Sequence, residues 1–212
     1  MGYNFSYITP FFAIFAMMNS AKTIEIHPLQ PFVPDGARLL MLGSFPPKRE
    51  RWSMEFFYPN RQNDMWRVMG LLFADDKTHF EEPSGRGFDR ERIVDFCNDI
   101  GLAIYDAATE VRRLKDNASD QFLEIVKPTN IEELLHQMPL CRAIVATGQK
   151  AAETVAAQLG CDVPSVGGSV DVTVGGRELH FWRMPSTSRA YPLSLERKAA
   201  AYRAMFEKEG CL

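Results

Sequence analysis

The sequence predicts an α/β fold, a three-layer α/β/α sandwich around a central, mainly parallel four-stranded sheet. Two observations carry that expectation. Apolar runs at residues 38–42, 101–106 and 143–147 are nearly continuous, the mark of strands buried on both faces. Between them lie segments with apolar residues at helical spacing, and strands alternating with helices imply a parallel sheet covered on both sides. With 46% apolar and 24% charged residues, the 212-residue chain suits a single domain, expected over residues 21–212.

Taken in order, residues 22–26 alternate weakly and read as a short edge strand. Pro28, Pro31 and Pro34 with Asp35-Gly36 mark an irregular connection. The first buried strand, 38–42, stops at Gly43-Ser44-Phe45-Pro46-Pro47. The loop leaving the carboxyl end of such a strand is where α/β proteins bind ligands. Residues 52–66 are dense in rings and amides: Trp52, Phe56, Phe57, Tyr58, Asn60, Gln62, Asn63 and Trp66. A loop so composed either holds a flat ligand or folds back into the core. Asn63 reads as the cap of a helix whose apolar side is Met65, Trp66, Met69 and Leu72, ending near Asp75. A second helix spans 89–98, with Ile93, Val94 and Cys97 inward. The strand at 101–106 has Asp106 at its carboxyl end, and the polar run 111–120 reads as an exposed loop. A helix at 130–138 leads to the strand 143–147, and Gly148 turns directly into a helix at 149–159. Gly175-Gly176 between 170–174 and 178–182 signals a hairpin whose second arm runs into Met184-Pro185-Ser186-Thr187-Ser188-Arg189. Ser194 caps a last amphipathic helix ending near Lys208.

Residues 1–20 stand apart as an apolar leader. The leader is too short to span a bilayer and lacks the basic start of a secretory signal. Translation starting at Met17 or Met18 is the favoured account, a signal segment the alternative. Cys97, Cys141, Cys161 and Cys211 form no Cys-x-x-Cys pair and have no His at ligand spacing. That pattern argues against a zinc or iron–sulfur site and for reduced thiols in a cytoplasmic protein, so no metal, no cofactor and no membrane partner is expected. The net charge of −3 does not advertise nucleic-acid binding. Local clusters such as Lys48, Arg49 and Arg51, or Arg183 and Arg189, would still act over a Debye length of roughly 8–10 Å. No Gly-x-x-x-x-Gly-Lys loop and no Gly-x-Ser-x-Gly elbow is present.

In combination these residues resemble the uracil-DNA glycosylase superfamily, most closely its hypoxanthine (deoxyinosine) DNA glycosylases, with a further likeness to mismatch-specific and thymine DNA glycosylases. The match runs from about Arg38 to the last helix. Gly43-Ser44-Phe45-Pro46 is similar to the family's first motif, and the segment from Tyr58 to Trp66 is similar to its Tyr-x-Asn-x-x-Asn-x-Phe-Trp pattern, with Met65 in place of the Phe. Asp106 sits where relatives carry a base-reading Asn or Asp, and the segment from Met184 to Arg189 resembles the loop that presses into DNA.

The resemblance implies a metal-independent, monomeric enzyme that removes a deaminated base (hypoxanthine, uracil or xanthine) from DNA without cutting the strand. Such an enzyme takes its nucleotide out of the stack, which costs a few kcal/mol, partly offset by stacking on a ring. Phe45, Tyr58 and Asp106 become base-binding residues, Tyr58 the stacking platform and Asp106 an acceptor for a ring N–H. Asn60 is the first catalytic candidate and Asn63 the second, with Ser44 beside them. Gly148, Pro185, Ser186, Thr187 and Ser188 would grip phosphate, and Arg189 would fill the gap left in the duplex. The departure is Phe45, which stands where many relatives carry a water-positioning Asp or Asn. The alternatives are a binding relative that senses a base without cleaving it, and a hydrolase of free nucleosides or nucleotides.

Overall fold

The computed structural model describes residues 23–115 and 120–212; the leader, residues 1–20, lies outside them. The central sheet forms because its strands are apolar without interruption. β2 (Leu39–Gly43), β3 (Leu102–Asp106) and β6 (Ala143–Thr147) are buried at every position. The sheet holds five strands in the order β3-β2-β6-β8-β7, where β7 is Gly168–Val174 and β8 is Arg177–Met184. β3, β2, β6 and β8 are parallel neighbours, and β7 joins the edge antiparallel through the Gly175-Gly176 turn. The hairpin therefore adds a fifth strand to the four expected.

Helices cover both faces. α1 (Met65–Phe73), α2 (Arg90–Ile100) and α5 (Leu195–Lys208) share one aromatic seam, with the Phe73 ring 4.9 Å from Phe96 and 5.2 Å from Phe206. α3 (Ile131–His136) and α4 (Gln149–Leu159) lie on connections that step the other way across the sheet. Right-handed crossovers place them on the opposite face. Asn130 and Ser194 cap α3 and α5 by accepting from Glu133 N–H and Arg197 N–H. Among the described residues no helix is long and apolar enough to cross a membrane.

Residues 111–113 belong to a strand and not to the exposed loop expected over 111–120. β4 (Ala108–Arg113) pairs with β1 (Ile24–Ile26) and β5 (Leu123–Pro128) in a second, antiparallel sheet. Only Ala108 and Val111 of β4 face inward, so the strand reads as polar. Its arginines pair across the sheet, Arg112 with Glu124 at 2.8 Å and Arg113 with Glu25 at 2.9 Å.

The chain leaves β2 toward β3 and leaves β6 toward β8, in opposite directions. A crevice opens outside the carboxyl ends of two neighbouring strands that part in this way, here between Gly43 and Thr147.

Candidate functional site

A cleft of about 670 Å³ occupies that crevice. Gly43 at the end of β2, Ser44 and Phe45 just after it, Asp106 from β3 and Thr147 from β6 line it, facing Tyr58, Asn60 and Asn63. The loop Ser186, Thr187, Ser188 and Arg189 closes one side, and Arg113 of the second sheet closes another together with Asp120, in the short helical turn before β5. The strand tips thus bring together most of the residues singled out in the sequence.

Asp106 forms the floor. It is buried, with Oδ2 2.9 Å from His27 Nε2. Oδ1 takes no hydrogen bond among the described residues, is open to solvent in the cleft and sits over Gly43, where an added Cβ would collide with it. Glycine at 43 is required for that approach. The Tyr58 hydroxyl shares a hydrogen bond with Thr147 Oγ1 at 2.9 Å, and burial and the Asp106 charge push its pKa well above that of a free phenol. Tyr58 adopts φ +50, a left-handed conformation rare for an aromatic residue and a form of strain that collects at ligand sites.

The aromatic stretch divides between its two anticipated fates. Phe56, Phe57 and Trp66 fold into the core, Trp66 donating to the Phe57 carbonyl at 3.1 Å. Tyr58 stays half-buried at the cleft, and Phe45 lines it while packing with Ala108, Val111 and Leu123 under the second sheet. Two rings, not one, are therefore available to a flat ligand.

Asn60 Oδ1 accepts from Gln62 N–H and Asn63 Oδ1 from Met65 N–H, both at 2.9 Å. The cap of α1 is Asp64 and not Asn63 as expected; Asn63 precedes it, accepts from the first helical N–H and lines the cleft. In both residues the bonded oxygen fixes the side chain and leaves the amide N–H groups as donors.

The loop after β8 is anchored from beneath. Lys198 Nζ, fully buried, donates to Asp64 Oδ2 at 3.1 Å and to the Ser188 carbonyl at 2.9 Å. Asp64 Oδ1 in turn accepts from Arg189 Nε at 2.9 Å, leaving the guanidinium half-exposed at the rim. Ser186 and Ser188 hydroxyls accept from Ser188 N–H and Ala190 N–H, tightening the turn. Pro185 and Gly148 do not line the cleft. Pro185 is buried and its carbonyl accepts from the Tyr202 hydroxyl. The Gly148 N–H is taken by the Met184 carbonyl, so any phosphate there would meet the next N–H groups of α4. Gly148 has φ +98, and an added Cβ would press within 3.4 Å of the Ser186 side chain.

Two residues were not visible in the sequence. His27, between β1 and β2, belongs to no motif. Asp120 falls in the run expected to be a loop. Asp120 is exposed at the cleft mouth, yet protein surrounds its carboxyl closely enough for desolvation to raise its pKa. Asp106 adds to the rise, while Ser44, Arg113 and Lys150 oppose it.

Among solved structures, the fold is similar to the solution NMR structure of a protein from Methanosarcina acetivorans described as a "putative Uracil DNA glycosylase". The TM-score is 0.60 and the identity 16%, over 89% of this chain and 99% of that one. At that identity the likeness is one of fold, and chemistry must be argued from the site. No protein-family model and no curated protein matches the chain.

Proposed function

We propose that this chain is a DNA glycosylase-like enzyme of the uracil-DNA glycosylase superfamily that hydrolyses the N-glycosidic bond of a deaminated base in DNA. The observation that carries this reading is Asp106. A buried carboxylate turns one unpartnered oxygen toward a cleft walled by Phe45 and Tyr58 and lined with amide donors. An ionised carboxylate only accepts, so it suits the ring N–H of hypoxanthine, xanthine or uracil.

The chemistry builds on that placement. The bond from C1′ to the base nitrogen breaks, and its electron pair stays on the base. Amide N–H groups of Asn60 and Asn63 meet the developing negative charge, a stabilisation typically worth a factor of roughly 10²–10³ per donor. Water adds its oxygen to C1′ and gives a proton to a carboxylate. Phe45 cannot take it, and Asp120, across the cleft mouth beside Ser44, is suited to the task. Arg189 and the serines beside it would hold the strand through its phosphates. The described residues lining the cleft include no lysine to act as an imine-forming nucleophile, which supports base removal without strand cleavage.

Duplexes carrying a single uracil, hypoxanthine or xanthine, incubated with the protein and then treated with alkali, test the proposal directly. Alkali-labile cleavage at the lesion is the expected result. Intact oligonucleotides with retained binding would instead support a base-sensing module. Release of base from free nucleosides alone would support a nucleoside hydrolase. Asn60→Ala should lose roughly a hundredfold in single-turnover rate while keeping its affinity for DNA.

A further inference from the structure

His27 is held by everything around it. The imidazole is boxed by Tyr105, Phe45 and Phe57, at centroid distances of 4.6, 5.2 and 6.2 Å. Its backbone N–H bonds the Thr109 carbonyl at 2.8 Å, extending the pairing of β1 with β4. Nδ1 lies 3.1 Å from the Leu29 N–H and 2.9 Å from the Leu29 carbonyl. A neutral ring accepts from that N–H, and a protonated ring donates to that carbonyl. In both states Nε2 keeps its proton, because the group facing it is the Asp106 carboxylate.

From this geometry we infer that His27 is a specificity-determining positioning residue: by holding Oδ2 of Asp106 it fixes Oδ1 as an acceptor-only contact for the flipped base. A carboxyl free to turn could swing out of this contact and leave the base edge unread; adenine and cytosine present a ring lone pair there, to which a carboxylate cannot hydrogen-bond. A carboxylate held in place by an N–H presents only lone pairs, so it favours bases with a ring N–H at that edge over adenine and cytosine, the bases from which hypoxanthine and uracil derive. This inference rests on the base-binding part of the proposed function and not on the cleavage step. The second sheet then has a purpose at the site: its edge strand β1 delivers the imidazole to a carboxylate 79 residues away.

The test compares the wild type with His27→Phe, which keeps the ring and loses the donor, and His27→Gln, whose amide can replace Nε2–H. Matched duplexes carry one hypoxanthine, one adenine or one unsubstituted purine, which has the ring lone pair and no N–H. Binding to each is measured alongside single-turnover excision, with thermal melting to establish that each variant is folded. His27→Phe should lower the preference for hypoxanthine over purine by about ten- to a hundredfold. Affinity for a duplex with an abasic site should stay unchanged, and His27→Gln should restore most of the preference. A folded His27→Phe with wild-type preference overturns the inference, as does a wild type with none. A wild type that prefers hypoxanthine in binding, loses that preference in His27→Phe and excises nothing would uphold it and overturn the glycosylase reading.

Discussion

Asp106 and Asp64 are both buried aspartates beside the same cleft, each held by a buried basic side chain, and they differ in what is left over. Asp64 has both oxygens engaged, Oδ1 by Arg189 and Oδ2 by Lys198, with Arg67 3.6 Å away. Asp106 has one oxygen on His27 and the other unpartnered among the described residues. A carboxylate whose acceptor sites are filled from within the protein anchors structure. One that keeps an oxygen open to the cleft has an acceptor site that a ligand can take. The contrast separates scaffold from site where burial and residue type alone do not.

The largest effect expected from breaking this contrast is on the anchored side. Asp64→Ala leaves Lys198 buried with no counter-charge, a situation that costs about 3–5 kcal/mol. In a chain of this size that corresponds to a melting temperature lower by roughly 10 °C, readable by thermal or denaturant unfolding. Asp106→Asn should cost far less stability, because the amide oxygen still accepts from His27. It should instead lower excision of hypoxanthine or uracil by about ten- to a hundredfold, measured under single turnover, since an amide N–H then faces the base. Should Asp106→Asn unfold the protein while Asp64→Ala leaves it intact, the division between anchor and reader is reversed.

The sequence revealed these two halves unequally. The strand at Ala143–Thr147 and the helix at Gln149–Leu159 match their expected bounds, because burial on both faces leaves an unbroken apolar run. Tyr58, Asp106 and the 186–189 loop were legible because each sits at the end of such a run or inside a motif. The second sheet was not, since Glu110, Arg112 and Arg113 satisfy their charge across strands and look like a solvated loop when read alone. His27 and Asp120 were hidden with it, since they flank its strands, His27 directly after β1 and Asp120 in the turn before β5. Asp64, the residue that caps α1, was not legible as an anchor. Its pairing with Lys198 joins helices 134 residues apart and leaves no local pattern.

Asp120 sharpens the comparison from a third position, a carboxyl at the mouth that Ser44 hydrogen-bonds and no imidazole pins. Its folded pKa is raised, chiefly by desolvation, so the folded state holds its proton more tightly than the unfolded chain does. The contribution of this group therefore favours folding at acid pH and is lost as pH rises from the ordinary carboxylate range through the raised value. Asp120→Asn should accordingly be neutral or slightly stabilising at pH 7, the reverse of Asp64→Ala. If Asp120 accepts the proton of the attacking water, the variant should lose roughly tenfold or more in excision rate. It should also lose the acidic limb of the rate profile, which in the wild type falls as pH drops through the raised pKa. An Asp120→Asn protein with an unchanged profile would move the base elsewhere in the cleft.

The smallest effect belongs to Arg189, where anchor meets rim. Its guanidinium is half-exposed, and Asp64 keeps Lys198 and Arg67 when it is removed, so Arg189→Ala should leave the melting temperature within a few degrees. What it should change is DNA binding: affinity lower by several-fold for damaged and undamaged duplexes alike, with the slope of log affinity against log salt reduced by about one. A loss confined to lesion-bearing duplexes would mean instead that Arg189 acts after the base has left the stack, filling its place. That outcome would assign the anchored carboxylate a share in recognition, because Asp64 is what orients the guanidinium.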